Sequence, residues 1–276
     1  MINLENVSKK FGTGVFGLSD ITFAVEKGEF VFLVGPTGSG KTTIFKLLIR
    51  EMYPTQGTIV VDSWDLVKLP SKQVPELRKK IGVVFQDLKL LTDRTIFENI
   101  ILPLDIAGVN EEESGRRVEE VLERVGIIEH RDKFPIQLSG GELQRTAIAR
   151  ALILSPDIIL ADEPTGDLDE ATAWDIVKLL SEINEGGTTV IMATHNADIV
   201  KKMDKRIIEL SLGSIVNDKK TKPKHKKKEE EKDEKPKEKK EVHEEARKDD
   251  KKESEKGEDK GKKPITDEFE KALEEE

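Results

Sequence analysis

A glycine-rich loop, Gly35-Pro-Thr-Gly-Ser-Gly-Lys41-Thr42, constrains this chain more than any other feature. It follows an unbroken apolar run, Phe30-Val-Phe-Leu-Val34, which is typical of a strand buried on both faces. It precedes a helical pattern of apolar residues at Ile44, Leu47 and Leu48. A strand, a glycine-rich loop and a helix in this order predict a phosphate-binding loop in an α/β fold.

The residue types in this loop suit contact with the phosphates of a nucleotide. Glycines allow the backbone to curl so that successive N–H groups point inward, and the following helix adds the partial positive charge of its N-terminus. Lys41 can reach the β- and γ-phosphates, and the Thr42 hydroxyl can bind Mg²⁺. The expected nucleotide contacts are Gly35, Pro36, Thr37, Gly38, Ser39, Gly40, Lys41, Thr42 and Thr43.

Two adjacent carboxylates, Asp162 and Glu163, follow a second apolar run, Ile158-Ile-Leu-Ala161. Open α/β sheets bind ligands at the carboxyl edge of their strands, which is where these side chains are expected to lie. We expect Asp162 to hold Mg²⁺ through water and Glu163 to polarise the attacking water as a general base. The alternative is a solvated corner, and the phosphate-binding loop in the same chain favours the metal site.

Apolar runs alternate with helical periodicity along residues 1–217. Residues 81–85 and 188–193 indicate further buried core strands, while residues 94–154 are mainly helical and indicate a separate lobe. The predicted fold class is α/β. It is a phosphate-loop NTPase with a mainly parallel core sheet, an antiparallel β subdomain, a helical lobe and a disordered charged C-terminal tail.

Composition changes sharply after Asn217. The later residues are dominated by charged side chains and lack hydrophobic periodicity until the end of the chain. Such a segment buries too little apolar surface to offset its chain entropy. We therefore predict an ordered domain at 1–217, a disordered charged linker at 218–263, and a short amphipathic helical motif at 264–276.

Charge and hydropathy also limit the function. The formal net charge of −9 gives no support for direct binding to nucleic acid. No apolar stretch reaches the ~18 to 20 residues that a transmembrane helix needs, so any role at a membrane is expected to come through a partner. The chain has no cysteine and needs no oxidising compartment.

A second group of small residues, Ser139-Gly-Gly141, begins the helical pattern that runs from Leu143 to Leu154. Small residues at a helix N-terminus can bind an anion. Because the chain already has one phosphate-binding loop, this group is expected to serve the nucleotide of a second subunit. Ser139 and Glu142 also fit a capping box, and both roles can hold at once.

Together these motifs resemble those of the ABC ATPase family. The resemblance rests on the phosphate-binding loop, Gln86 after a strand, Leu138-Ser-Gly-Gly-Glu142, Asp162-Glu163, Gly166-Asp-Leu-Asp169 and His195 after a strand. It implies hydrolysis of ATP to ADP and phosphate. It also implies a head-to-tail homodimer in the ATP-bound state, with two ATP molecules at the interface.

The resemblance further implies roles for single residues. Gln86 would bind the metal and sense the γ-phosphate, and His195 would contact the γ-phosphate and hold the water, so that both join Glu163 in the catalytic set. Phe11 matches the aromatic residue that stacks on adenine, with Phe16 as a nearby rival. The contacts made across the dimer interface would come from Ser139, Gly140, Gly141, Glu142 and Asp169.

A narrower resemblance, to the FtsE group of cell-division ATPases, covers about residues 1–217. It rests on Arg50-Glu-Met-Tyr-Pro-Thr-Gln-Gly57, on Val83-Val-Phe-Gln-Asp-Leu-Lys-Leu-Leu91 and on Asp93-Arg-Thr-Ile-Phe-Glu-Asn99. It implies an integral membrane partner resembling FtsX. It also implies a place on the cytoplasmic face of the plasma membrane and control of peptidoglycan hydrolysis during cell division.

The resemblance places residues 87–97 where ABC ATPases dock their membrane partner, which makes Leu88, Leu90 and Leu91 candidate contacts. Packing within the helical lobe is the alternative for these leucines. Other functions remain open: an ATPase subunit of another ABC exporter or lipoprotein-release complex, a soluble ABC ATPase acting on DNA or ribosomes, and a subunit that only binds ATP. The single cassette argues against a soluble ATPase acting on DNA or ribosomes. Intact Glu163 and His195 argue against a subunit that only binds ATP.

Overall fold

The computed structural model describes residues 1–12 and 14–219. The linker predicted at 218–263 and the motif predicted at 264–276 lie outside the described residues, apart from Asp218 and Lys219. Within them, the strands are β1 (Ile2–Lys10), β2 (Phe16–Val25), β3 (Phe30–Val34), β4 (Gln56–Val61), β5 (Trp64–Asp65), β6 (Ile81–Val84), β7 (Ile158–Asp162), β8 (Thr189–Thr194), β9 (Arg206–Ser211) and β10 (Ser214–Lys219). The α-helices are α1 (Lys41–Leu48), α2 (Val74–Lys79), α3 (Ile96–Ala107), α4 (Glu111–Val125), α5 (Gly140–Leu152), α6 (Glu170–Glu185) and α7 (Ala197–Met203).

The larger sheet has the strand order β10-β9-β3-β8-β7-β6. All neighbouring strands run parallel except β10, which is antiparallel to β9. This confirms the predicted, mainly parallel core sheet. In its register, Val34 of β3 pairs with Thr194 of β8, and Ala193 pairs with Asp162 of β7. The loops that follow these strands therefore meet at one edge of the sheet.

The smaller sheet, of order β2-β1-β4-β5, is antiparallel throughout and confirms the predicted β subdomain. Its inward side chains, such as Leu4 and Ile59, share one buried apolar cluster with Val31 of the core sheet. Ile44 and Leu47 of α1 belong to the same cluster. Helix α1 thus packs against residues of both sheets, which fixes the loop at its N-terminus.

Helices α3, α4 and α5 pack on one another and form the predicted helical lobe. Local sequence sets their ends. Thr95 and Glu98 form a capping box at the start of α3, and Asn110 caps α4. Gly108 and Gly126 end the two helices in the left-handed conformation that glycine favours. No helix among the described residues combines the length and apolar character needed to cross a membrane.

The last strand continues past the domain boundary that we predicted at Asn217 and ends at Lys219. Asp218 accepts hydrogen bonds from Arg206, at 2.8 Å from Nε and 2.7 Å from Nη2. Arg206 is buried and also lies 3.0 Å from a carboxylate oxygen of Glu29. These ion pairs connect β10 to β9 and to the residue before β3.

Candidate functional site

The phosphate-binding loop connects β3 to α1, and two of its glycines are required by its geometry. Gly35 has a φ of +154° and Gly40 a φ of +108°. A Cβ atom on Gly35 would lie 2.3 Å from the carbonyl oxygen of Leu210, and one on Gly40 would lie 2.8 Å from that of Gly17. Both the backbone conformation and the approach of neighbouring backbone therefore exclude a side chain. The same turn holds Pro36, Thr37, Gly38 and Ser39, with Thr42 and Thr43 in the first turn of α1.

Lys41 begins α1 and folds its side chain back over the loop. Its Nζ donates hydrogen bonds to the carbonyl oxygens of Gly35 at 2.8 Å and Pro36 at 3.3 Å. The same atom lies 3.3 Å from Oε1 of Glu163, and only 6% of the residue is exposed. The ammonium group is thus held at the mouth of the loop, where it can exchange these oxygens for those of a phosphate.

Thr42 and Asp162 meet across 120 residues of sequence. The Thr42 hydroxyl donates a hydrogen bond of 2.8 Å to Oδ2 of Asp162. The other carboxylate oxygen, Oδ1, is buried and has no hydrogen-bond partner among the residues that the structure describes. Burial raises the pKa of Asp162, and it outweighs the opposing effect of the Thr42 hydrogen bond. A buried, incompletely satisfied carboxylate beside a hydroxyl provides oxygen ligands of the kind that a cation needs.

Glu163 follows β7 directly, with its carboxylate held between Lys41 and His195. Nδ1 of His195 lies 2.9 Å from Oε2 of Glu163, and the His195 backbone N–H donates to the same oxygen at 3.3 Å. Glu163 has a φ of +48°, which is uncommon for a residue with a side chain. Its own N–H donates to the carbonyl of Ala193 at 3.0 Å, so the neighbouring strand β8 supports this conformation.

Gln86 lies at the same edge of the sheet but outside these contacts. It follows β6 by two residues, and Val84 at the end of β6 pairs with Ala161, next to Asp162. The residue is exposed, and among the described residues its side chain makes no hydrogen bond. The structure therefore brings Gln86 near the Thr42–Asp162 pair without joining it to them.

The predicted second anion site, Ser139–Gly141, forms a capping box at the start of α5. Oε2 of Glu142 accepts hydrogen bonds from the backbone N–H of Ser139 at 2.7 Å and from its hydroxyl at 2.8 Å. The first of these bonds is the main reason that the pKa of Glu142 lies below its usual value. The capping box is thereby confirmed. Within the described chain, no hydrogen bond or ion pair connects this group to the Lys41–Glu163 cluster.

Asp169 lies beside the capping box rather than beside the phosphate-binding loop. It caps α6 by accepting a hydrogen bond of 3.0 Å from the backbone N–H of Thr172. A Cβ atom on Gly141 would lie 2.6 Å from Cγ2 of Thr172, so α5 and the start of α6 are in close contact there. The residues expected to act across an interface thus form a second group, apart from the first.

The two rival aromatic residues differ in their position. Phe11 packs on Gly17 so closely that a Cβ there would lie 2.4 Å from Cε2 of its ring. Gly17 in turn approaches Gly40 of the phosphate-binding loop. Phe16 begins β2 and is more exposed than Phe11, at 56% against 40%. The geometry therefore places Phe11 against the backbone that borders the loop.

Two contacts of the site residues were not predicted from the sequence. Nε2 of His130 lies 2.9 Å from Oε1 of Glu142 and orients that side chain from the lobe. The backbone N–H of Gly213 donates to the carbonyl of Ser39 at 3.2 Å. Glycine marks the turn between β9 and β10, but only the pairing of β9 with β3 brings that turn to the loop.

Comparison with known proteins agrees with this geometry. The sequence profile of the ABC transporter family matches residues 18–166. The chain is 47% identical over 218 residues to the cell division ATP-binding protein FtsE of Bacillus subtilis, covering 79% of this chain and 96% of that protein. It is 43% identical to FtsE of Escherichia coli K12 over 215 residues, which cover 78% of this chain and 97% of that protein.

A solved structure with a similar fold is the dimeric, post-hydrolysis state of the ATP-binding cassette MJ0796, which is bound to ADP and Pi. It superposes with a TM-score of 0.74 at 36% sequence identity. The match covers 80% of this chain and 99% of that one.

Proposed function

The chain belongs to the ABC transporter family, as an ABC ATPase of the FtsE type, and on that premise we propose that it is the ATP-hydrolysing subunit of an FtsEX-type cell-division complex. The observation that carries the proposal is the likeness to FtsE proteins over nearly their whole length, in a chain whose phosphate-binding loop and carboxylate pair meet at one edge of the sheet. The proposed work is a conformational change that is passed to a membrane partner and controls peptidoglycan hydrolysis.

ATP is proposed to lie with its phosphates in the loop and its adenine on Phe11. Lys41 already has two oxygen acceptors from the loop, and phosphate oxygens would replace them with stronger, charge-assisted bonds. The Ser39 hydroxyl is buried and has no hydrogen-bond partner in residues 1–12 and 14–219, so it adds a further polar group to the loop. The contact of Phe11 with Gly17 favours it over Phe16 as the adenine platform.

The residues beside the loop fit Mg²⁺, the cation proposed to accompany ATP. The Thr42 hydroxyl and the unpartnered Oδ1 of Asp162 are oxygen ligands of the type that Mg²⁺ prefers, and the unbonded side chain of Gln86 lies at the same edge. Few protein ligands suffice for this ion because it retains waters and binds phosphate oxygens. When bound, Mg²⁺ would neutralise part of the phosphate charge.

Glu163 is the proposed general base for the attacking water. Lys41 and His195 each hold one of its carboxylate oxygens, so the group is oriented before any substrate arrives. His195 is exposed and can contact the γ-phosphate. Gln86, in the turn after β6, senses the same group. In this proposal Glu163 accepts the proton of the water, and Lys41 offsets the charge of the phosphate.

The second nucleotide contact is proposed to come from another copy of this chain. Ser139–Glu142 and Asp169 lie together but make no bond to the phosphate-binding loop of their own chain, within the residues described. A head-to-tail homodimer would bring them to the ATP held by the other subunit. The N-terminus of α5 would then meet phosphate with its free N–H groups.

An integral membrane partner resembling FtsX is proposed to dock near residues 87–97 and to hold the chain at the cytoplasmic face of the plasma membrane. Leu88 packs partly against the helical lobe, whereas Leu91 is exposed. Leu102 and Ile106, one helical turn apart on α3, are exposed as well. These apolar side chains would be covered by the partner, and their exposure motivates the experiment that follows.

The test is co-purification of the tagged chain from membranes of the native cell, with Leu91→Glu as the variant and Val216→Glu as its control. Val216 is also an exposed apolar residue but lies on β10. We expect a four-span, FtsX-like protein to accompany the wild type and the control but not Leu91→Glu. Recovery of an exporter or a lipoprotein-release protein instead would overturn the cell-division assignment. Equal recovery with Leu91→Glu would overturn the docking site.

A further inference from the structure

The segment that follows Gln86 has a backbone conformation that its sequence does not favour. Leu88 and Lys89 have φ values of +57° and +54°, two consecutive residues with side chains in the left-handed region. Each such residue is disfavoured because its Cβ crowds the following carbonyl oxygen. Neither is glycine or asparagine, so contacts must hold the conformation. One is local, a hydrogen bond of 2.5 Å from the backbone N–H of Lys89 to the carbonyl oxygen of Asp87. Others come from outside the segment.

Arg150 supplies those contacts. Its Nη2 donates to the carbonyl oxygen of Leu88 at 2.5 Å, and its Nη1 donates to that of Lys89 at 2.6 Å. The planar guanidinium group therefore donates two hydrogen bonds at once, to two successive carbonyl oxygens. A lysine ammonium group cannot reproduce this geometry. Burial lowers the pKa of Arg150, but a guanidinium group remains charged at neutral pH.

Arg150 is itself fixed relative to the strand that leads to Gln86. The next residue, Ala151, packs on β6 so closely that a Cβ on Gly82 would lie 2.3 Å from its carbonyl oxygen. There is no room for α5 to shift toward the sheet at this point. The Arg150 guanidinium group is thus held in a constant position relative to β6, the strand that Gln86 follows.

Gln86 lies in a turn, and Arg150 binds the residues that follow this turn. The N–H of Leu88 donates to the carbonyl of Phe85 at 3.0 Å, which makes Gln86 and Asp87 the central residues of that turn. Among the residues that the structure describes, the Gln86 side chain makes no hydrogen bond or ion pair. Its position is therefore set by the backbone on either side, which is β6 before it and the Arg150 contacts after it.

We propose that Arg150 is a positioning residue for ATP hydrolysis: by holding Leu88 and Lys89 in the left-handed conformation, it places Gln86 at the metal and γ-phosphate. This inference rests on the proposed role of Gln86. The same helix, α5, is capped by Ser139, so Arg150 also connects the Gln86 turn to the residues proposed to act on the partner's nucleotide.

The experiment compares steady-state ATP hydrolysis by the full chain carrying Arg150→Lys or Arg150→Met. The matched control is Arg145→Met, because Arg145 lies on the same helix and also donates to a carbonyl, that of Val125 at 2.8 Å. We expect each Arg150 variant to lower kcat about tenfold, because the turn loses the left-handed conformation that places Gln86. We expect KM for ATP to change less than about threefold, because the phosphate-binding loop is untouched. Arg145→Met should hydrolyse ATP at the wild-type rate.

A rescue distinguishes positioning from simple stabilisation of the fold. Lys89 is exposed, and glycine or asparagine at this position accepts the left-handed conformation at little cost. Lys89→Gly and Lys89→Asn alone, measured on the isolated chain, give the reference kcat for the double variants. Combined with Arg150→Met, or with Arg150→Lys where the methionine variant does not fold, either should restore kcat to within about threefold of wild type.

The outcomes separate the two proposals. If the Arg150 variants hydrolyse ATP slowly and Lys89→Gly fails to rescue them, the positioning role is overturned. It is also overturned if the Arg150 variants keep the wild-type kcat while Gln86→Ala is slow. Wild-type hydrolysis by Gln86→Ala would overturn the role assigned to Gln86 itself. Rescue by both Lys89 variants, with Gln86→Ala slow, supports the inference.

Discussion

The hydroxyl of Thr42 lies 2.8 Å from Oδ2 of Asp162, while Oδ1 of the same carboxylate is buried and has no hydrogen-bond partner within the described part of the chain. One oxygen of Asp162 is therefore satisfied by the helix that follows the phosphate-binding loop, and the other is kept available. A buried carboxylate that is only half satisfied destabilises the nucleotide-free protein. We infer that Asp162 lowers the stability of the nucleotide-free protein because its position is suited to binding a cation.

Asp162→Asn should therefore stabilise the nucleotide-free chain at pH 7 by about 1 kcal/mol while abolishing Mg²⁺-dependent hydrolysis. The folded-state pKa of Asp162 is raised above its ordinary value of 3.8. The folded protein thus binds the proton more tightly than the unfolded chain, and the wild type loses stability as the pH rises from 3.8 through the raised pKa. Thermal unfolding of both proteins across this range, without nucleotide, measures the difference. The gain should vanish below pH 3.8, and a variant less stable than wild type at pH 7 would contradict this account.

Glu163→Gln should lower the rate of ATP hydrolysis by roughly 10²- to 10⁴-fold and leave ATP binding intact, because the amide cannot accept the proton of the water. The substitution preserves the size of the side chain, so ATP should accumulate in a trapped dimer, seen by size-exclusion chromatography with Mg²⁺ and ATP. Glu170→Gln, at an exposed position on α6, is the control and should behave as wild type. Normal turnover in Glu163→Gln would remove the general-base assignment.

Ser139→Ala should slow hydrolysis by more than the loss of a helix cap explains. The matched control is Thr95→Ala, because Thr95 forms the equivalent capping box on α3. Both variants should lose about 1 kcal/mol of unfolding free energy, but only Ser139→Ala should lower turnover at saturating ATP. Equal turnover in the two variants would mean that Ser139 serves only as a cap.

Phe11→Ala should weaken ATP binding about tenfold, since an aromatic platform for a base contributes roughly 1–3 kcal/mol. Phe16→Ala should change the affinity by less than about twofold, because Phe16 is more exposed than Phe11. Titration with a fluorescent ATP analogue measures both. The reverse order of effects would reassign the adenine site to Phe16.

A chain that ends at Lys219 should unfold at the same temperature as the full chain and hydrolyse ATP within a few-fold of its rate. A chain that ends at Asn217 should be less stable by about 1–2 kcal/mol, because the buried guanidinium of Arg206 loses its pair with Asp218. Asp218→Asn in the full chain should show most of the same loss. If the two truncated chains were equally stable, the Arg206–Asp218 pair would have no role in holding β10.

Much of the fold could be predicted because its signals are local. The apolar runs of β3, β7 and β8, the glycines of the loop, and the Ser139–Glu142 capping box each depend on residues close in sequence. Their periodicity and turn chemistry therefore indicate structure directly. The extension of β10 to Lys219 escaped prediction, because the charged residue Asp218 is held by Arg206 and not by apolar packing.

The sequence by itself determined that this chain binds phosphate through a loop between a buried strand and a helix, since glycine and lysine at that spacing carry their chemistry locally. Only the tertiary structure decided how the site is assembled. The parallel register of β3, β8 and β7 brings Asp162 to Thr42 and His195 to Glu163. Arg150 holds the segment after Gln86 through hydrogen bonds to backbone carbonyl oxygens. Every residue has such a carbonyl, so no sequence pattern marks the one that is bound.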